Sequence, residues 1–416
     1  MIQSVETGRL SRTARLPSAQ RATSSVQARE THNIASLTIW RRKLRGVEFA
    51  VRATQDSRAN PLVGDSLLFA CIWSPGAVVA VERQTGRQVW RRSLPPLAHD
   101  SVLLADDVLC THNLRQLFAL DPTSGQTAWT WHPPGDDQES LHGSPTVAGG
   151  RLFIGDQSGR FWCLDAASGD VLWVHESSPD TGTINCTPMV IHSLAVFATT
   201  DCFAVACDVR NGREVWRERL DGPVSGELLR FKGGIAVRTF WSAYVLDPRD
   251  GQVAHRFHWR GRYLRHLIAA RDTLMVTTQR AQGTMSMEPY SVLGAAPAGE
   301  PSRLMIGLNG DGEVFRQPCP ARLLALRWSP ETGLIYESRG DGLGILDPRT
   351  GERMHDLVAP GSIWDSVYCG PVDVHERIIY MLDVRGNLRA LEHPARKNVR
   401  SIASHRQKNS PDGLQG

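Results

Sequence analysis

One phrase recurs along this chain and constrains what it can fold into: an apolar residue and Asp, a short polar turn, Gly, then Trp four residues after the Gly. It reads Leu120-Asp121 to Gly125 to Trp129, Leu164-Asp165 to Gly169 to Trp173, and Cys207-Asp208 to Gly212 to Trp216. A variant, Val81-Glu82 to Gly86 to Trp90, precedes them. Weaker copies follow at Leu246-Asp247, Leu308-Asn309 and Leu346-Asp347, and a half copy stands at Leu391-Glu392. His255 and His355 replace the ring in two of these, and the copy at Asn309 reads as having lost it. From residue 82 the anchors step by 39, 44, 43, 39, 62, 38 and 45 residues. A period of about forty residues, carried by short apolar runs and Gly-rich turns, marks a propeller or array, since each unit must stack on its neighbours to bury a core.

The third unit is the clearest. Ser144-Pro145-Thr146-Val147 opens a strand that turns at Gly149-Gly150, and 151–155 returns as a second. A hairpin turn at Asp156-Gln157-Ser158-Gly159 leads to a third strand over 160–164, and 171–174 forms a fourth. Four short antiparallel strands joined by tight turns make one propeller blade. Within the phrase, the Asp is placed to accept hydrogen bonds from amides of its turn, and the Gly lets the chain reverse. The Trp then returns on the outer strand, where a flat ring fills the wedge between blades while its N–H finds a carbonyl. That blade-docking role falls to Trp40, Trp90, Trp129, Trp173 and Trp216.

The phrase resembles the tryptophan-docking repeat, Ala-x-Asp-x-x-Thr/Ser-Gly-x-x-x-Trp, of the pyrroloquinoline-quinone (PQQ)-type propeller superfamily. Leu120 to Trp129 and Leu164 to Trp173 match it nearly throughout, and the likeness extends over residues 36 to 393, fading in the second half. It implies an all-β ring. The likeness is closer to the non-enzymatic propeller adaptor of outer-membrane protein assembly than to the quinoprotein dehydrogenases, whose vicinal cysteines have no counterpart here: the sequence contains no Cys-Cys. The expectation is therefore no cofactor and no metal.

Counting anchors gives a single propeller of eight four-stranded antiparallel blades. The last copy stops at Leu391-Glu392-His393-Pro394 with no outer strand, whereas Leu37-Thr38-Ile39-Trp40 is a Trp strand with no anchor before it. The N-terminal strand is expected to complete the eighth blade beside 378–382 and 388–391, closing the ring and removing both open edges. The organisation that follows is a disordered basic leader over 1–34, a propeller over 35–393 with a loop insertion over 280–302, and a disordered basic tail over 394–416.

Composition narrows the class. The net charge of +4 gives nucleic acid no hold on the molecule except through its basic ends. No apolar signal core or membrane-length run appears, so a cytoplasmic location is expected. The eight cysteines make no Cys-x-x-Cys pair, and Cys71, Cys110, Cys163 and Cys207 sit where small apolar fillers of packed strands do.

Two places are left for function. Residues just before the first strand of each blade line one mouth of the channel, and registering the copies sets Arg58, His99, His142, Asn185 and Tyr368 at equivalent points. Within the loop insertion, Met285, Met287 and Tyr290 offer large side chains to a partner. The leading expectation is a non-catalytic scaffold, an adaptor subunit binding one or more protein partners. The alternative is an enzyme or small-ligand binder at the channel mouth, such as a metal-assisted lyase or hydrolase.

Overall fold

The computed structural model describes residues 30–394 apart from 46–60, 98–101, 106, 136–139, 178–181, 225, 282–285, 288–289, 292–298, 321–322, 359–371 and 384. Its blade strands form eight antiparallel four-stranded sheets in which the first strand of each unit is innermost and the fourth outermost. Blade 3 runs Thr146–Ala148, Arg151–Gly155, Arg160–Asp165 and Val171–Glu176, matching the expected strands within two residues at each end. Its middle strands are buried almost throughout, because both their faces lie against neighbouring blades, while the outer strand is largely exposed. A register shift between Cys163 and Leu164 in the pairing with the outer strand turns the Trp173 ring out of the sheet, and equivalent shifts recur in the other copies.

The ring closes as expected. Thr38–Lys43 pairs antiparallel with Asn387–Glu392, Trp40 lying opposite Ala390, and supplies the outer strand of blade 8. Apolar clusters join every pair of adjacent blades, including Leu68, Val79, Tyr380 and Leu388 across the seam between blades 8 and 1. Among the described residues no helix is long and apolar enough to cross a membrane.

Three findings correct or extend the sequence reading. Within the segment expected as a leader over 1–34, Glu30–Asn33 is a strand, paired parallel to the outer strand of blade 7, Arg353–Val358. A single helical turn, Ile34–Leu37, capped by the Asn33 carboxamide accepting from the Ala35 amide at 2.8 Å, carries the chain on into blade 8. The sixth copy has kept a ring after all. Its turn is two residues shorter, and Phe315 takes the docking place against Gly351 of blade 7. The insertion lies between the second and third strands of blade 6, Thr273–Arg280 and Arg303–Leu308, and contains a small hairpin of Ser286–Met287 with Tyr290–Ser291. Glu300 pins its returning end, accepting from Arg262 at 3.2 Å and Arg316 at 2.8 Å.

Candidate interaction surface

The recurring phrase is a clasp between blades. The Asp121 carboxylate accepts from the amides of Thr123 and Ser124 at 3.0 and 2.6 Å, and Asp165, Asp208 and Asp247 hold their turns in the same way. Hydrogen bonds from the Thr123 and Ser124 hydroxyls pull the Asp121 carboxyl down to about 2, and the Arg210 guanidinium does the same for Asp208. The Trp of the preceding blade lies on this turn. Its indole N–H donates to the carbonyl after the anchor: Trp40 to Arg83 at 3.0 Å, Trp90 to Pro122 at 3.0 Å, Trp129 to Ala166 at 3.1 Å, Trp173 to Val209 at 3.0 Å, and Trp216 to Pro248 at 2.9 Å. The ring covers the turn Gly so closely that a Cβ on Gly212 would sit 2.5 Å from Trp173. That Gly also has φ +71°, so two independent constraints demand glycine there.

The clasp repeats across five consecutive junctions, from blades 8 and 1 through blades 4 and 5. At the next junction His255 is exposed and nothing meets Gly312; the contact is made instead by Phe257 and buried Trp259. Around blade 7, buried Glu337 accepts from Arg353 at 2.7 Å and lies 3.4 Å from Arg339. Burial raises the Glu337 carboxyl pKa, an effect these two cations oppose.

Of the expected channel-mouth residues, Arg58, His99 and Tyr368 lie outside the described residues, as does Met285 of the loop. The segments carrying His142 and Asn185 adjoin: a Cβ on Gly143 would stand 2.2 Å from the Cys186 carbonyl oxygen. The adjoining Cys186–Thr187 pairs in turn with Gly226–Glu227 before blade 5, so the entries to blades 3, 4 and 5 form one continuous rim. His142 is held by Ser140, whose Oγ lies 3.0 Å from its Nε2. Asn185 Oδ1 is buried with no hydrogen-bond partner among the described residues. Met287 and Tyr290 are register partners in the loop hairpin.

Sequence reasoning missed the outer edge of blade 3. In blades 8, 1 and 4 the residues after the docking ring are charged, as in Trp40-Arg41-Arg42-Lys43, Trp90-Arg91-Arg92 and Trp216-Arg217-Glu218-Arg219. Such charges keep open strand edges from pairing with other chains. Blade 3 exposes three apolar residues on its outer strand, Val171, Leu172 and Val174, at 45%, 44% and 40%, where blades 8, 1 and 4 expose one each, Ile39, Val89 and Val215, and among the described residues no strand covers that edge. The signal was present as Val-Leu-Trp-Val, but the same residues read as an ordinary strand.

Comparison with known proteins agrees with this geometry. Residues 74–231 match the family model described as outer membrane protein assembly factor BamB. Polyvinylalcohol dehydrogenase of a Pseudomonas species is 29% identical over 110 residues, covering 25% of this chain and 17% of that protein. BamB of Yersinia pestis is 25% identical over 154 residues, 34% of this chain and 39% of its own length. The chain thus spans well under half the length of these curated relatives. The crystal structure of BamB from Moraxella catarrhalis superposes with a TM-score of 0.59 at 16% identity, over 86% of this chain and 97% of that one. Repeat, ring and relatives together make the chain a β-propeller of PQQ-like repeats, similar both to the assembly factor BamB and to quinoprotein dehydrogenases.

Proposed function

We propose that the protein is a non-catalytic adaptor that holds a protein partner on the rim of its ring. The apolar outer edge of blade 3 carries this reading. An uncovered strand offering Val171, Leu172 and Val174 has both unpaired backbone groups and apolar area for a partner, where the equivalent strands of blades 1, 4 and 8 are defended by arginine and lysine. The likeness to an assembly factor supports the same class of role. The test compares tagged wild type with a Val171→Lys/Leu172→Glu/Val174→Lys variant. These side chains are exposed, so the circular dichroism spectrum and melting should be preserved while a stoichiometric co-purifying protein is lost. Equal recovery by both proteins would remove this edge from the reading.

A second reading, a small ligand at the channel mouth, is favoured by the partnerless buried Oδ1 of Asn185 beside the His142 segment and by the dehydrogenase relatives. Stoichiometric binding of PQQ with calcium that Asn185→Ala abolishes would put it first.

A further inference from the structure

Histidines take the place of the docking ring at the junction where blade 7 meets blade 8, the blade built from both ends of the described chain. His355 occupies the position of the docking Trp, four residues after Gly351. The turn it would dock on is replaced by the departing C-terminal segment, and His393, the residue after the last anchor, lies edge-on to it with ring centroids 6.3 Å apart. The strand Glu30–Asn33 then adds to blade 7 in parallel, with Glu30 as the register partner of His355. Because strand residues two apart share a face, Glu30 and His32 both turn toward that imidazole.

Three ligand atoms converge there. His32 Nε2 lies 3.3 Å from His355 Nδ1, His32 Nε2 lies 3.4 Å from Glu30 Oε2, and His355 Nδ1 lies 3.5 Å from the same oxygen. Every side of this triangle is longer than the usual N–H···O separation of about 2.9–3.0 Å. The sides do match a tetrahedral metal centre, where bonds of about 2.0–2.1 Å put neighbouring ligand atoms roughly 3.3–3.4 Å apart. Among the described residues, this is the one group of three His, Cys, Asp or Glu ligand atoms with such convergence.

We propose that Glu30, His32 and His355 form a zinc site that clasps the N-terminal strand to blade 7 at the closure of the ring. Two imidazoles and one carboxylate are a borderline, nitrogen-rich donor set suited to zinc, and three protein ligands leave the fourth position to water. Binding at a site assembled only in the folded ring stabilises that ring by mass action.

The test uses the full chain, freed of any histidine tag and stripped with a chelator. Zinc chloride is titrated by calorimetry and against a chromogenic chelator, and cobalt(II) is added separately for its visible spectrum. One equivalent of zinc should bind, cobalt should give the intense visible bands of a tetrahedral site, and zinc should raise the melting temperature. Glu30→Gln and His32→Ala, both on the added strand and outside the apolar core, should fold yet lose the tight equivalent, the cobalt bands and the melting shift. Absence of a tight equivalent in the wild type would overturn the proposal, leaving a proton-sharing cluster. Its retention in the Glu30→Gln/His32→Ala double variant would overturn it equally, by placing the metal elsewhere.

Discussion

At the residue scale, the protein is held together by one contact used repeatedly, a ring lying on a glycine with its N–H anchored to the next carbonyl. Trp173 is nine-tenths buried between blades 3 and 4, packed near Phe153 and Phe161. Trp173→Ala should therefore cost about 3–5 kcal/mol in chemical denaturation, the range for removing a large ring from a packed site. His255→Ala, at the same phase but exposed, should change stability by less than about 0.5 kcal/mol. The turn carboxylates add a pH dependence. Asp121 and Asp208 are held near pKa 2 in the fold against an ordinary 3.8. Depressed values mean that their contribution is present above about pH 4 and is lost as the pH falls through about 2. The melting temperature should fall over that window, and Asp208→Asn, which has no charge to lose, should decline less steeply.

At the scale of elements, the strand Thr38–Lys43 belongs in space to the far end of the chain. It completes blade 8 through its pairing with Asn387–Glu392 and reaches blade 1 through the Trp40 indole. Removing residues 1–29 leaves every described strand in place and should leave the melting temperature within a few degrees of the full chain. Removing residues 1–43 takes away the outer strand and one of the five indole clasps. It should lower the melting temperature sharply and produce association through the newly opened edge, visible as a larger species in size-exclusion chromatography. The insertion in blade 6 is gathered at its base, where the Glu300 carboxylate accepts from Arg262 and Arg316 and its carbonyl accepts from Arg280 at 2.8 Å.

At the scale of the whole molecule, the two ends of the described chain meet. His32 lies against His355, and His355 against His393, with ring centroids 5.4 and 6.3 Å apart. A circular permutant can exploit this: residue 394 is joined to residue 30 by a short Gly-Ser linker, and new ends are placed within 292–298. Closure entropy grows slowly with loop length, so the permutant should fold with a far-ultraviolet spectrum like that of the parent. A molten or aggregated permutant would show that the ends are not neighbours in solution. Apolar clusters at every junction make the blade edges a rigid frame, on which the proposed adaptor role relies.

The period of the anchors, the four-strand unit and the orphan strand at Trp40 are all legible in the sequence. Each is written in local spacing, and a turn of Asp and Gly followed by Trp makes the same structure wherever it occurs. The ring in the sixth copy was missed because a turn two residues shorter put Phe315 out of phase with the other copies. The open edge of blade 3 was missed because a strand of valine and leucine gives no sign of which face another chain covers. Only the tertiary structure could bring Glu30 and His32 to His355, more than three hundred residues along the chain, or set Asn185 beside the His142 segment. Closing a ring makes sequence-distant residues neighbours. The sequence by itself determined the blades and the order in which they stack; the closure decided which side chains meet at the seam, since that depends on the summed rotation of eight blades rather than on any local pattern.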